Sequence, residues 1–279
     1  MTTPVIERFD RTADGYLRWW APVLAPASKR LVDRLDRLDP KLPGGAPCDV
    51  LDLGCGTGNL IFEAAGRWAG ARLTGLDGSA GMLDVARREQ VSLPPQTQAR
   101  LAYVHAYADA LPFADGSFDV VMTAFVLQQV VDRMLVLREI YRVLRPGGVV
   151  AIYGWIEDAP GTFAAEAALE EALAEGGAPR QPEMEKRAGR YRSVRAAADE
   201  LRAAGFRRVS PRADSLEHQW RADDFVTYRT TTREIALFEA VDDPTRGRVV
   251  DSLRRRLETL TADQMVDRPP VVSIVGRKP

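Results

Sequence analysis

In the first half of the chain, short apolar runs alternate with stretches in which apolar residues return every three or four positions. Cys48 to Leu53, Arg72 to Asp77, Leu101 to Ala106, Phe118 to Thr123 and Val149 to Tyr153 read as five buried strands. Asn59 to Trp68 reads as a helix between the first two. Val130, Met134, Leu137, Tyr141 and Leu144 mark another, which Arg145-Pro-Gly-Gly148 stops. This alternation predicts an α/β fold with a parallel sheet covered on both faces and a ligand at the carboxyl ends of its strands. Further on, Phe163 to Glu175 predicts a helix ended by Gly176-Gly177. Ser193 to Ala204 predicts another, which leads into a sixth strand at Phe206 to Val209. Val250, Leu253, Leu257 and Leu260 give Trp220 to Met265 the apolar face of a helical insertion, expected to fold over the strand ends as a lid. Before the first strand, Ser28 is expected to open a helix running to about Leu38.

Candidate chemistry concentrates where the first strand turns into its helix, Asp49-Val-Leu-Asp-Leu-Gly-Cys-Gly-Thr-Gly-Asn-Leu60. Glycines there let the backbone bend and approach a ligand at distances a Cβ would block. No Gly-Lys-Ser/Thr follows, which excludes a phosphate loop of the ATPase type. The glycines run G-x-G-x-G, with Asn59 where a dinucleotide loop has its last glycine. Asp52, at the carboxyl end of the strand, would repel a pyrophosphate and suits an ammonium or sulfonium charge. Asp77 ends the second strand at the spacing from which an acid reaches ribose hydroxyls. Ser79 can cap the next helix, and Met82 on its first turn can lie against a flat ring.

These blocks resemble the class I S-adenosylmethionine-dependent methyltransferases. The resemblance rests on Val50 to Gly58, Leu73 to Asp77 with Met82-Leu83, Ala108-Asp-Ala-Leu-Pro-Phe113, Phe118 to Val121 and Arg138 to Gly148. Val271 to Lys278 looks like the family's last strand. Within the family, the chain looks most like the branch of ubiquinone/menaquinone C-methyltransferases and small-molecule methyltransferases. The resemblance implies a three-layer, Rossmann-like, seven-stranded and mostly parallel sheet with S-adenosylmethionine as cofactor. By position, Asp52, Gly54, Cys55 and Gly56 would surround the methionine part, Asp77 and Gly78 the ribose, and Met82 the adenine. Thr123 would face the sulfonium and Phe125 the acceptor. Two positions depart from the pattern. Tyr107 replaces the usual Asp of the adenine contact, which leaves Asp109 and the Ala108 N–H as substitutes. Gln128-Gln129 stands where relatives often carry His.

The expected organisation is a helical cap over 1–45, a cofactor-binding core over 46–155, a helical insertion over 156–192 with a mobile polar stretch, a core continuation over 193–220, a helical lid over 221–266 and the last strand over 267–279. Tyr16 and Trp20 of the cap are candidates to cover the cofactor and acceptor, or to serve as core packing. Trp155 and Trp220 are the other candidate acceptor contacts. His218 is the candidate general base, with a surface histidine as the competing reading. His105, Glu157 and Glu217 are weaker.

Composition narrows the partners. The 279 residues carry a formal charge of −1 with acids and bases interspersed, which gives no electrostatic footprint for nucleic acid. Two histidines and two cysteines without a cluster argue against a metal site. Neither an amino-terminal signal nor a membrane-length apolar run is visible, so a cytoplasmic monomer or homodimer acting on a small molecule is expected. The expected reaction is methyl transfer to an O, N or C atom of a small metabolite. The alternative is a cofactor-binding protein whose lid pocket performs cyclisation or binding only.

Overall fold

The computed structural model describes residues 3–39, 42, 44–157, 163–178 and 189–279. The polar stretch expected to be mobile lies largely outside them. Among the described residues nine strands form in chain order: β1 (Cys48–Leu53), β2 (Ala71–Asp77), β3 (Leu101–His105), β4 (Phe118–Ala124), β5 (Leu144–Trp155), β6 (Arg207–Ser215), β7 (His218–Gln219), β8 (Val266–Asp267) and β9 (Pro270–Arg277). Seven make one sheet in the order β3-β2-β1-β4-β5-β9-β6, while β7 and β8 pair in a small separate ribbon. Pairing is parallel from β3 through β5, and β9 runs antiparallel to both its neighbours. The sequence therefore predicts the sheet correctly, although β5 begins earlier than expected, with a register break in its pairing to β4 between Phe118 and Val120.

The described residues also form eleven α-helices, α1 (Thr3–Gly15), α2 (Ala21–Leu38), α3 (Asn59–Arg67), α4 (Ala80–Gln90), α5 (Pro95–Gln98), α6 (Arg133–Val143), α7 (Ala164–Gly176), α8 (Val194–Ala203), α9 (Ala222–Tyr228), α10 (Ile235–Ala240) and α11 (Asp243–Glu258). Alternation along β1 explains the layering. Val50 joins Leu31, Leu35, Ile61 and Ala64 of α2 and α3 on one face of the sheet. Leu51 and Leu53 join Val136, Leu137, Ile140 and Leu201 of α6 and α8 on the other.

The amino-terminal cap departs from expectation. The helix expected from Ser28 begins at Ala21, and a further helix precedes it, joined by the π-helical turn Tyr16–Trp20. Pro22 lies in the first turn of α2, where a missing N–H costs nothing, and Pro26 lies inside the helix. The insertion helices α7, α9, α10 and α11 build their own core from Leu169, Leu173, Phe225, Phe238, Val249 and Leu253. A buried ion cluster ties this layer together. The Arg229 Nε donates to Glu234 at 2.6 Å and its Nη2 to Glu166 at 2.9 Å.

Arg34 joins α2 to the antiparallel edge of the sheet. Its guanidinium is only 4% exposed and donates to the Ser273 carbonyl at 2.7 Å and to Ser210 Oγ at 3.0 Å. Burial, followed by the nearby Arg212, lowers its pKa to about 10. Hydrogen bonds from a charged group are worth about 1.5–3 kcal/mol, so Arg34→Ala should lower the unfolding free energy by about that amount. Urea denaturation checks this, and an unchanged midpoint would refute the tie.

Candidate functional site

The strand order reverses between β1 and β4, and the crevice outside the carboxyl ends of strands at such a point is where ligands bind in open α/β sheets. A cleft of about 380 Å³, open to solvent, lies there. Asp52, Gly54, Cys55, Gly56, Thr57, Asn59 and Leu60 from the β1 turn line it, with Ala124 and Phe125 after β4 and Tyr16, Leu24 and Ser28 from the cap. Gly54 (φ 70°), Gly56 (φ 53°) and Gly58 (φ 103°) all have left-handed backbones. At Gly54 a Cβ would fall 2.2 Å from Val126 Cγ2, whereas at Gly56 it would meet nothing within 4 Å. Gly54 is thus needed for packing, and Gly56 leaves free the space a ligand would take.

Two carboxylates define the electrostatics. Asp77 is 7% exposed, with Oδ2 accepting the Gly56 N–H and Oδ1 the Ser79 N–H, each at 2.9 Å. Each oxygen keeps a further lone pair for a ribose hydroxyl. Asp52 is 1% exposed, and its Oδ2 has no hydrogen-bond partner. Burial, reinforced by the charge of Asp77, pushes the Asp52 pKa well up. Burial also raises that of Asp77, against the pull of its backbone N–H donors. Two desolvated acids side by side favour a cation between them. S-adenosylmethionine carries an ammonium and a sulfonium, so the residues present fit it.

The remaining predicted residues divide. Tyr16 and Phe125 line the cleft, and Phe125 does so from a left-handed backbone (φ 60°), rare for a bulky residue. Its ring lies 4.4 Å from Trp155, Trp155 lies 6.2 Å from Trp20, and Trp20 stacks on Tyr228 at 5.2 Å. Tyr228 in turn stacks on Trp220 at 5.1 Å. The aromatic candidates therefore form one row from the strand ends into the insertion, with Trp220 at its far end.

Met82 is 3% exposed and packs with Ala13 and Tyr16, so α1 covers it. Gly78 is buried, its carbonyl 2.9 Å from His105 Nε2. Ala108 is buried, while Tyr107 is 50% exposed and Asp109 also faces solvent. Thr123 is fully buried with an unpartnered hydroxyl, and it points to the face of β4 opposite to that of Asp52. Ala124 reaches the cleft instead.

His218 does not line the cleft. It is half-buried in the β7–β8 ribbon, 4.6 Å from the Trp220 ring, and burial lowers its pKa. Leu24, Ser28, Thr57 and Asn59 were not singled out from the sequence. Leu24 and Ser28 sit one turn apart on α2, a spacing that marks a shared face only once the helix is known to start at Ala21.

The fold is the Rossmann-like one of the class I S-adenosylmethionine-dependent methyltransferases. Residues 51–152 match the family described as "Methyltransferase domain". The chain is 39% identical over 102 residues to the demethylmenaquinone methyltransferase of Lactococcus lactis, covering 36% of this chain and 39% of that protein. It is 35% identical over 146 residues to the malonyl-[acyl-carrier protein] O-methyltransferase of Serratia marcescens, covering 52% and 50%. It thus spans about half or less of either relative's length. Among solved structures, a Thermotoga maritima S-adenosylmethionine-dependent methyltransferase described as a possible histamine N-methyltransferase superposes with a TM-score of 0.56. That match has 17% identity and covers 98% of this chain and 99% of the other.

Replacing Asp52 by Asn removes a buried, unpaired charge. The ligand-free protein should gain roughly 1–2 kcal/mol while S-adenosylmethionine binding weakens at least about tenfold. Thermal melts with and without cofactor check both, and a melting point raised equally in the two would refute the cation-binding role. The pH dependence follows from the same two groups. Their folded pKa values lie above the unfolded ones, so the folded, empty site holds protons and loses stability as pH rises through that window. A bound cation favours the ionised forms, so affinity should fall on acidification beginning above the ordinary carboxylate range. Calorimetry across pH reads this, and a flat profile there would contradict it.

Proposed function

We propose that the protein transfers the methyl group of S-adenosylmethionine to a neutral, flat, largely apolar small molecule. The observation that carries this reading is the composition of the cleft, in which the buried carboxylate of Asp52 shares the lining with Phe125, Leu24 and Leu60, and no Lys, Arg or His stands among the described lining residues. Such a wall offers nothing to neutralise a phosphate or carboxylate on the acceptor, while ring stacking rewards a planar one. The relatives named above are described by different acceptors, and none of those acceptors is carried over. No described helix is long and apolar enough to cross a membrane.

When bound, the cofactor supplies an electrophilic methyl carbon on a sulfonium. The acceptor's lone or π electron pair forms the new bond to that carbon, and the carbon–sulfur pair stays on sulfur. Any displaced proton on the acceptor leaves to solvent. Positive charge disappears from sulfur along this path, so a site that excludes water favours it. The chain's part is alignment: Asp52 and Asp77 fix the donor, while Phe125 and Trp155 fix the plane of the acceptor. Orientation of this kind can contribute about 7–11 kcal/mol to the barrier without a protein base.

Purified protein, methyl-labelled cofactor and a host metabolite extract test the reading. A labelled small molecule should accumulate with one S-adenosylhomocysteine per product, whereas turnover without that release would reject transfer in favour of cyclisation. With the acceptor in hand, Phe125→Ala should raise its KM about tenfold or more, in line with the loss of a buried aromatic contact. His218→Ala should leave kcat within about twofold, because no proton transfer is assigned to it. A large loss of kcat with a shifted pH profile would restore His218 as a base.

A further inference from the structure

We propose that Asp10 is a positioning residue that clamps α1 across the nucleoside half of the cofactor cleft and so sets how fast S-adenosylmethionine enters and leaves. The inference rests on reading the cleft as a cofactor site. Asp10 Oδ1 accepts the Ser79 hydroxyl at 2.6 Å and the Gly81 N–H at 2.9 Å. Both donors belong to the amino end of α4, where the helix dipole favours an anion. The helices meet so closely that a Cβ at Gly81 would fall 2.7 Å from the Asp10 carbonyl oxygen, a contact only glycine permits.

Held there, α1 and the π-helical turn after it lay Phe9, Ala13, Tyr16 and Leu17 over Met82 and Val85. The cleft lining therefore includes the β1 turn and Tyr16 but neither Met82 nor Asp77. A flat base can reach Met82 only if α1 lifts. Ser79 links the two functions, because its N–H donates to Asp77 and its hydroxyl to Asp10. A further polar tie between these helices, Arg88 to Asp14, is an exposed ion pair and contributes little.

The test compares Asp10→Ala and Asp10→Asn in the full chain by two readouts: stopped-flow association and dissociation of S-adenosylhomocysteine, and amide hydrogen exchange of α1 in the ligand-free protein. Asp10→Ala should speed both rate constants about three- to tenfold, as expected for the loss of hydrogen bonds to a charged acceptor, and should strip protection from α1 while β1 and β4 stay protected. Asp10→Asn, whose amide oxygen can still accept both bonds, should stay close to wild type. Unchanged rates and protection in a folded Asp10→Ala protein would overturn the clamp, as would equal defects in the two variants. If the wild-type protein binds neither cofactor nor its demethylated product, the cofactor reading fails, and the hydrogen-exchange arm still decides whether Asp10 holds α1.

Discussion

The bonds from the Gly56 and Ser79 amides to one buried carboxylate, Asp77, are the constraint on which the rest of the site depends. The β1 turn and the start of α4 belong to neighbouring strand–helix units, and Asp77 is the acceptor that fixes one against the other. Without it, two backbone donors would be left unpaired at the floor of the cleft, at a cost of about 1–3 kcal/mol each where they are buried. Under the proposed reading the same carboxylate, which organises the empty fold, would also accept a ligand's hydroxyls. Removing its side chain would therefore disturb the fold and the site together.

Burying a second acid beside the first is costly for the empty protein. Asp52 has a desolvated oxygen with no partner, and its neighbour's charge adds to the penalty. Ordinary cores avoid such a group, and its persistence makes sense where a cation completes it. The stability missing from the empty protein becomes a preference for a positively charged ligand. Among the described residues the cleft lining carries no basic side chain, which agrees with that preference.

The insertion communicates with this floor through aromatic rings. Trp20 of the cap, Trp155 at the end of β5 and Tyr228 of α9 meet where three separate segments converge. The buried cluster of Arg229 with Glu166 and Glu234 fixes the turn after α9 to α7, and so limits how far the insertion can shift independently of that helix. The cap lines the cleft through Tyr16, Leu24 and Ser28, and the insertion reaches the cap through the stacking of Tyr228 on Trp20.

Much of this was legible in the chain. Alternating strands and helices dictate a parallel sheet, because a right-handed crossover permits little else. The glycine turn and the two terminal acids lie close in sequence to the strands that place them, so local pattern sufficed to find Asp52, Gly56 and Asp77. The antiparallel last strand and the longer β5 are decided by pairing across the sheet. The early start of α2 is decided by packing of Leu24, Ala27 and Leu31 in the core beneath it, which outweighs Pro26 inside the helix.

Which side chains face the cleft was not legible, because facing depends on strand register and on segments distant in sequence. Thr123 and Ala124 are adjacent, yet the pleat sends one to each side of β4. His218 follows the sixth strand as expected, yet the β7–β8 pairing and the ring of Trp220 hold it away from the floor. Sequence by itself determined the sheet and the charged turn, since both rest on interactions between near neighbours and on backbone geometry. Tertiary structure alone decided that α1 would lie over Met82 and that an aromatic row would run from Phe125 at the cleft into the insertion, because those contacts join surfaces the chain brings together only after the sheet has formed.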